Sequence, residues 1–301
     1  MNVFLDLATH DLQWSYPLTE PRFHECLSRC GWDVSDAENA DLHFRDVTGS
    51  TITNDFLKPT ILFIRCDTSW PIHESNRENV VGYCVPIMTT DPSSAICNQV
   101  HRTCAVQIKK PVFYLTTMLW HQLDVQKFYS DIQPVDKSWD VSFIGTMHHY
   151  GNSFVKQHRA NLRRAWGQLD DFPSVAIFAS DVAHGGYAIS WKESWKIIKR
   201  SRTIVSPWGV CEISWRDYEA ALGGCMIIKP QQPEIKATCS PWHRENVIYC
   251  NSDYSDLAER VLDSTVHTPA LERISQETLA AGRDFNVLAK AFAGILDKCS
   301  T

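Results

Sequence analysis

The 301-residue sequence has no C-x-x-C pair and no cysteine pair followed by paired histidines, although it contains eleven cysteines. The common zinc frameworks are thereby excluded. An odd, scattered set of cysteines reads as reduced thiols in a reducing compartment. No D-x-D tripeptide occurs, so the usual carboxylates for holding a divalent cation on a diphosphate are missing. Asp170-Asp171 reads as a helix-end turn. No stretch reaches the roughly 18 apolar residues of a membrane span. The start, MNVFLDLATHDLQ, lacks a basic leader and a long apolar run. Positive charge is not in surplus either. A net charge of −6 argues against a non-specific nucleic-acid binder. One local basic patch is an exception, with His158, Arg159, Arg163 and Arg164 inside Lys156 to Arg164. Repeats and low-complexity tracts are absent.

What remains is the composition of a soluble globular protein, 44% apolar and 21% charged. The length suits one large or two medium domains. In the first half, Val3 to Leu7, Asp41 to Val47, Thr60 to Cys66, Val80 to Val85 and Val112 to Leu115 read as strands. A short helix is predicted over Arg22 to Cys30. His121 to Ser138 is polar and aperiodic, so it reads as a linker, with a boundary near residue 135. In the second half Val141 to Ile144, Val175 to Ala179 and Val247 to Tyr249 read as strands. Phe154 to Leu169, Tyr187 to Arg200 and Tyr254 to Leu262 read as helices, and Leu271 to Lys298 is strongly helical.

The chain is organised around Ser201 to Pro230, SRTIVSPWGVCEISWRDYEAALGGCMIIKP. Thr203-Ile204-Val205 is a β-branched run that Pro207 and Gly209 break. Ser214 caps a helix with Trp215, Tyr218, Ala221 and Leu222 on its apolar face. Gly223-Gly224 ends that helix, and Cys225 to Ile228 is a second buried strand. With its flanks this gives a β-α-β-α-β-α-β-β-α order, a Rossmann-like parallel unit. Arg216 and Glu219, three apart, share one face of the helix near its N-terminus. Free N–H groups and the helix dipole favour an anion there, and arginine adds a planar fork for phosphate oxygens. A carboxylate at Glu219 suits the hydroxyls of a ribose. Alternatively the two are a solvated ion pair on an ordinary helix.

The pattern S-P-x-G-x-x-x-x-S-x-R-x-x-E-A-x-x-x-G-C, here Ser206 to Cys225, resembles the donor-binding segment of exostosin-like glycosyltransferases. It is also similar to the glycosyl transferases group 1 domains of bacteria and large viruses. The likeness extends more weakly over Trp139 to Asp263. It implies an α/β GT-B architecture, two Rossmann-like domains with parallel sheets facing across a cleft. Residues 1–135 would bind the acceptor and 136–301 the nucleotide sugar, with the last helix, about 284–301, packing back on the first domain. Glu212 and Glu219 stand seven apart, against eight in retaining enzymes of this architecture. The resemblance implies transfer from a nucleotide sugar, UDP-linked, to a glycan, inverting and metal-independent, with no cofactor; the charge balance adds the expectation of no nucleic-acid partner, and the lack of a long apolar run that of no membrane span. Eukaryotic exostosins carry a membrane anchor that this sequence does not show, which points either to a cytoplasmic bacterial or viral enzyme or to a trimmed chain.

Donor-binding candidates are Gly145, Thr146, Arg159, Ser206, Pro207, Trp208, Gly209, Ser214, Arg216 and Glu219. A strand ending in Gly145-Thr146 lets backbone N–H groups approach a phosphate, and Arg159 on the next helix reaches the same place. Without a metal, arginines and helix dipoles neutralise the leaving group. Inverting transfer needs a base. The candidates are His10 and Asp11, in the loop after the first strand, and Asp67, after TILFIRC. Trp191 and Trp195 are expected in the core. Trp208 and Trp14, in loops, either pack or stack on a base or sugar. Two alternatives stand beside transfer: a sugar-nucleotide epimerase of the same architecture, and a non-catalytic glycan-binding module.

Overall fold

A computed structural model describes residues 1–6, 21–47, 57–64, 79–85, 87–89, 110, 112–114, 136–145, 153–169, 175–179, 189–208, 214–231, 235–237, 246–265, 277 and 294. The chain divides into two compact units. One comprises Met1–Met118, Pro233–Cys239 and Gly282–Thr301; the other comprises Leu119–Gln232 and Ser240–Ala281.

The first unit contains β1 (Asn2–Asp6), α1 (Pro21–Arg29), β2 (Asp33–Val34), β3 (Leu42–Val47), β4 (Thr60–Ile64), β5 (Val80–Val85), β6 (Ile87–Thr89) and β7 (Val112–Tyr114). Six of the strands form one parallel sheet in the order β2-β1-β3-β4-β5-β7. Strands buried on both faces need near-continuous apolar runs, which is why TILFI and VVGYCV are strands. Phe23 and Leu27 of α1 are buried with Val3, Phe44 and Ile61. Phe23 meets Phe44 edge-on at 5.6 Å. A further short strand, β12 (Ile235–Ala237), pairs antiparallel with β6; nothing in the sequence pattern predicts it.

The second unit contains β8 (Trp139–Gly145), α2 (Ser153–Trp166) with a 3₁₀ turn over Gly167–Leu169, and β9 (Val175–Ala179). There follow α3 (Trp191–Arg200), β10 (Ser201–Val205), α4 (Trp215–Leu222), β11 (Met226–Pro230), β13 (Val247–Cys250) and α5 (Leu257–Thr265). Its sheet is parallel throughout, in the order β13-β11-β10-β8-β9. Val141, Phe143, Leu162, Trp166, Val205, Ile228, Tyr254 and Leu257 share one core. Tyr218, Ala221 and Leu222 bury the expected face of α4, and Trp195 is fully buried.

Two helix starts differ from the sequence pattern, each for a local reason. α3 begins at Trp191, not Tyr187. Ser190 accepts from the Glu193 N–H at 3.2 Å, and the Glu193 carboxylate takes the Ser190 N–H at 3.1 Å, a complete capping box. α5 begins at Leu257 because Tyr254 has a left-handed φ of 62° and cannot open a helix. The predicted helix over Leu271 to Lys298 lies outside the described residues, apart from positions 277 and 294. Among the described residues no helix is long and apolar enough to cross a membrane.

Candidate functional site

Strand order places the site. In the second unit β8 is flanked by β9 on one side and β10 on the other, so the winding reverses between β8 and β10. In doubly wound sheets the crevice outside the C-terminal strand ends at that reversal is where ligands bind. Ile144 and Gly145 end β8, and Ser206 to Trp208 follow β10.

Two guanidinium groups arrive there. Arg216, in the first turn of α4, donates from Nε to the Ile144 carbonyl at 3.1 Å. Its Nη1 pairs with Oε2 of Glu219, whose residue is only 1% exposed. Arg159, from α2, lies 5.5 Å over the Phe143 ring. A Cβ on Gly145 would sit 3.9 Å from Nη1 of Arg159 and 3.2 Å from the Phe143 ring. Glycine therefore keeps the space beside the guanidinium open. Burial pushes Arg159 down to about 10, and the Arg216 charge pushes the same way. It stays cationic at neutral pH. No carboxylate pairs with Arg159 among the described residues. Among the described residues, two cations and one carboxylate leave a surplus positive charge at the strand reversal.

Beneath them lies a sealed network. Asp217 and Lys229 are both fully buried and pair at 3.0 Å. Lys229 Nζ also donates to the Ser206 carbonyl at 3.3 Å. The Asp217 carboxylate takes the Ser214 N–H at 2.5 Å and its hydroxyl at 3.0 Å. The Ser214 hydroxyl also lies 3.2 Å from that of Ser206.

Beside Arg159, His158 is buried, with Nε2 accepting the Trp208 N–H at 3.3 Å and lying 2.6 Å from the Tyr254 hydroxyl. Because Nε2 accepts the Trp208 N–H, the proton of the neutral ring is on Nδ1. Burial, then the charges of Arg159 and Lys229, push His158 down to about 3, so it is neutral. The Trp208 ring stacks on His158 at 4.7 Å and on Phe154 at 5.7 Å.

The structure thus brings together Gly145, Arg159, Ser206, Ser214, Arg216 and Glu219. Pro207 and Trp208 are adjacent but buried, and of the two readings of Trp208 it is packing, on His158, that the structure shows. The Arg216–Glu219 pair is real but not solvated. The basic patch on α2 also dissolves: His158 is interior and neutral, Arg159 turns inward, and only Lys156, Arg163 and Arg164 are exposed. Thr146, Gly209, Glu212, Trp14, His10, Asp11 and Asp67 lie outside the described residues. The segment holding His10 and Asp11 leaves β1, which stands at the corresponding reversal of the first sheet, between β2 and β3. Sequence reasoning missed Asp217, Lys229 and Tyr254. A usable signal existed for Asp217, three residues after Ser214 in capping-box spacing.

No protein-family model matches the chain, and no curated protein matches it in sequence. Solved structures do. One is an α-glucosyltransferase in complex with UDP and a 13-mer DNA containing an HMU base, with a TM-score of 0.48 and 10% identity over 100% of each chain. Another is the GtfA/B complex, with a TM-score of 0.42, 10% identity, and 81% of this chain covering 58% of that one. A third is the sucrose-phosphate synthase of Thermosynechococcus elongatus, with a TM-score of 0.40, 12% identity, and coverage of 91% and 75%. Likeness at this level concerns chain path and assigns no residue a role.

Proposed function

We propose that the chain is a glycosyltransferase of GT-B type that binds a nucleoside-diphosphate sugar, UDP-linked, at the strand reversal of its second unit. The observation that carries this reading is the surplus guanidinium, Arg159 beside Arg216, at the C-terminal ends of β8 and β10. A diphosphate is the anion that a forked, partly desolvated pair of arginines suits best. Both donors are in place before the leaving group develops its charge, so they stabilise transfer without reorganising. Gly145 and Thr146 offer backbone N–H groups to the same phosphates. Arg159 is the principal diphosphate ligand in this reading, with Arg216 behind it. Glu219 takes the ribose hydroxyls by turning from Arg216 toward the ligand.

The sugar passes to a carbohydrate hydroxyl with inversion at C1 and without a metal. The base comes from the first unit, with Asp11 ahead of Asp67 and His10. The expectation that nucleic acid is not a partner rests on the net charge of −6 alone. The acceptor screen therefore runs oligosaccharides beside duplex DNA.

A panel of nucleotides and nucleotide sugars, read by thermal shift, tests the donor site. Binding to the native state raises stability by RT ln(1 + [L]/Kd), so UDP compounds should raise Tm. Glu219→Ala should abolish the shift, and an unchanged shift would remove Glu219 from the site. Donor turnover with no transfer to any acceptor would overturn the transferase reading.

A further inference from the structure

We infer that Asp217 and Lys229 are positioning residues for the diphosphate site, a sealed ion pair that sets the angle at which α4 presents Arg216 and Glu219. The inference rests on the nucleotide reading above. Asp217 lies between Arg216 and Glu219 in sequence, yet its carboxylate points the other way. One oxygen, Oδ2, receives the Ser214 N–H, the Ser214 hydroxyl and the Lys229 ammonium. Lys229 also holds the Ser206 carbonyl. A single buried pair thus joins the end of β10, the end of β11 and the first turn of α4. Arg216, the residue before Asp217, meets the end of β8 through Ile144. A helix turns about 100° per residue, so a small rotation of α4 would carry the Arg216 guanidinium off the strand end.

Lys229 does not serve the ligand as a charge. It is fully buried and its charge is matched by Asp217. Nor is stability a sufficient reason for it. β11 is otherwise apolar, with Met226, Ile227 and Ile228 all buried. A buried ion pair roughly breaks even against apolar residues of similar volume, whereas losing one partner is costly. What the pair adds over an apolar substitute is direction. The three hydrogen bonds on Asp217 Oδ2 are made at one angle of α4, while a packed apolar contact tolerates several.

The test compares Lys229→Met, Asp217→Asn and the double variant D217N/K229M with wild type. Each is measured for Tm and for UDP affinity by calorimetry. Asparagine keeps an acceptor for the Ser214 N–H. K229M should lower Tm most, because it strands a buried carboxylate. The double variant should recover much of that Tm while its Kd for UDP stays raised by about tenfold or more. Amide exchange in Trp215–Leu222 should remain faster than in wild type even as Tm recovers. A merely structural role would restore affinity and exchange together with Tm, and that result would overturn the inference. Should K229M not fold, the same comparison is read from D217N and the double variant. Wild-type protein that binds UDP beside a double variant that binds equally well sinks the positioning role alone. Wild-type protein that binds no UDP sinks the nucleotide reading and takes this inference with it.

Discussion

Two ion pairs share the first two turns of α4, and they are built for different ends. Asp217–Lys229 is sealed, with both side chains fully buried and the ammonium bonded to a second chain segment. Arg216–Glu219 is open on one side. Its guanidinium side chain is 20% exposed and reaches a strand end, with a third charge, Arg159, close enough to be felt. The sealed pair balances its charges and fixes geometry. The open pair, taken with Arg159, leaves a positive surplus among the described residues at the C-terminal edge of the sheet. Charge balance separates architecture from site here, although the residues alternate along one helix.

Breaking the sealed pair should do the most damage. Lys229→Met leaves the Asp217 carboxylate buried without its cation, which costs about 3–5 kcal/mol, measured by denaturant unfolding. Breaking the open pair should cost less in stability and more in function. Arg216→Met leaves the buried Glu219 carboxylate without its cation, a cost of about 3 kcal/mol, the low end of the same range because the guanidinium side is partly open to water, and it should weaken the UDP-dependent rise in Tm, which the same thermal-shift assay reads.

A third change titrates the neutral group that feels the charges of Arg159 and Lys229. His158 has a folded pKa near 3, against an ordinary value of 6.5. Between these values the unfolded chain binds the proton and the folded protein does not. Stability is therefore lost as pH falls below 6.5, by up to about 1.4 kcal/mol per pH unit for this one proton. The pH dependence of unfolding should show that slope, and His158→Gln should flatten it. The smallest effect is expected from Tyr254→Phe. It removes the hydroxyl 2.6 Å from His158 Nε2, but the Trp208 N–H remains, so the loss is about 1 kcal/mol, seen as a drop in Tm.

Most of the fold was legible because the sheet is parallel. Runs such as TILFI, VVGYCV and CMII are near-continuously apolar, as strands of a parallel sheet need to be, and they announce themselves. The helix of Arg216 was legible from Ser214 and Gly223, as was the shared face of Arg216 and Glu219. The rest depended on partners far along the chain. Lys229 reads as the residue that ends a strand after Ile228. It is instead interior, because Asp217 and the Ser206 carbonyl, 12 and 23 residues earlier, satisfy it. His158 reads as one member of a basic cluster. Its burial depends on Trp208 and Tyr254, 50 and 96 residues away, which no local pattern discloses. The start of α3 is a different kind of miss. Ser190 and Glu193 stand in capping-box spacing, but the apolar periodicity of the preceding segment runs on past them.

In the proposed function Arg159, which pairs with no carboxylate among the described residues, holds a diphosphate at the strand reversal. Arg159→Met tests it most directly, by titrating UDP calorimetrically into wild type and variant with EDTA present. Without ligand, the variant should melt at the wild-type temperature or above it, since a partly buried charge with no carboxylate partner among the described residues has been removed. Wild type should bind one UDP, and the variant should lose at least about tenfold in affinity. A flat wild-type titration, or a variant that binds as tightly as wild type, would contradict the account.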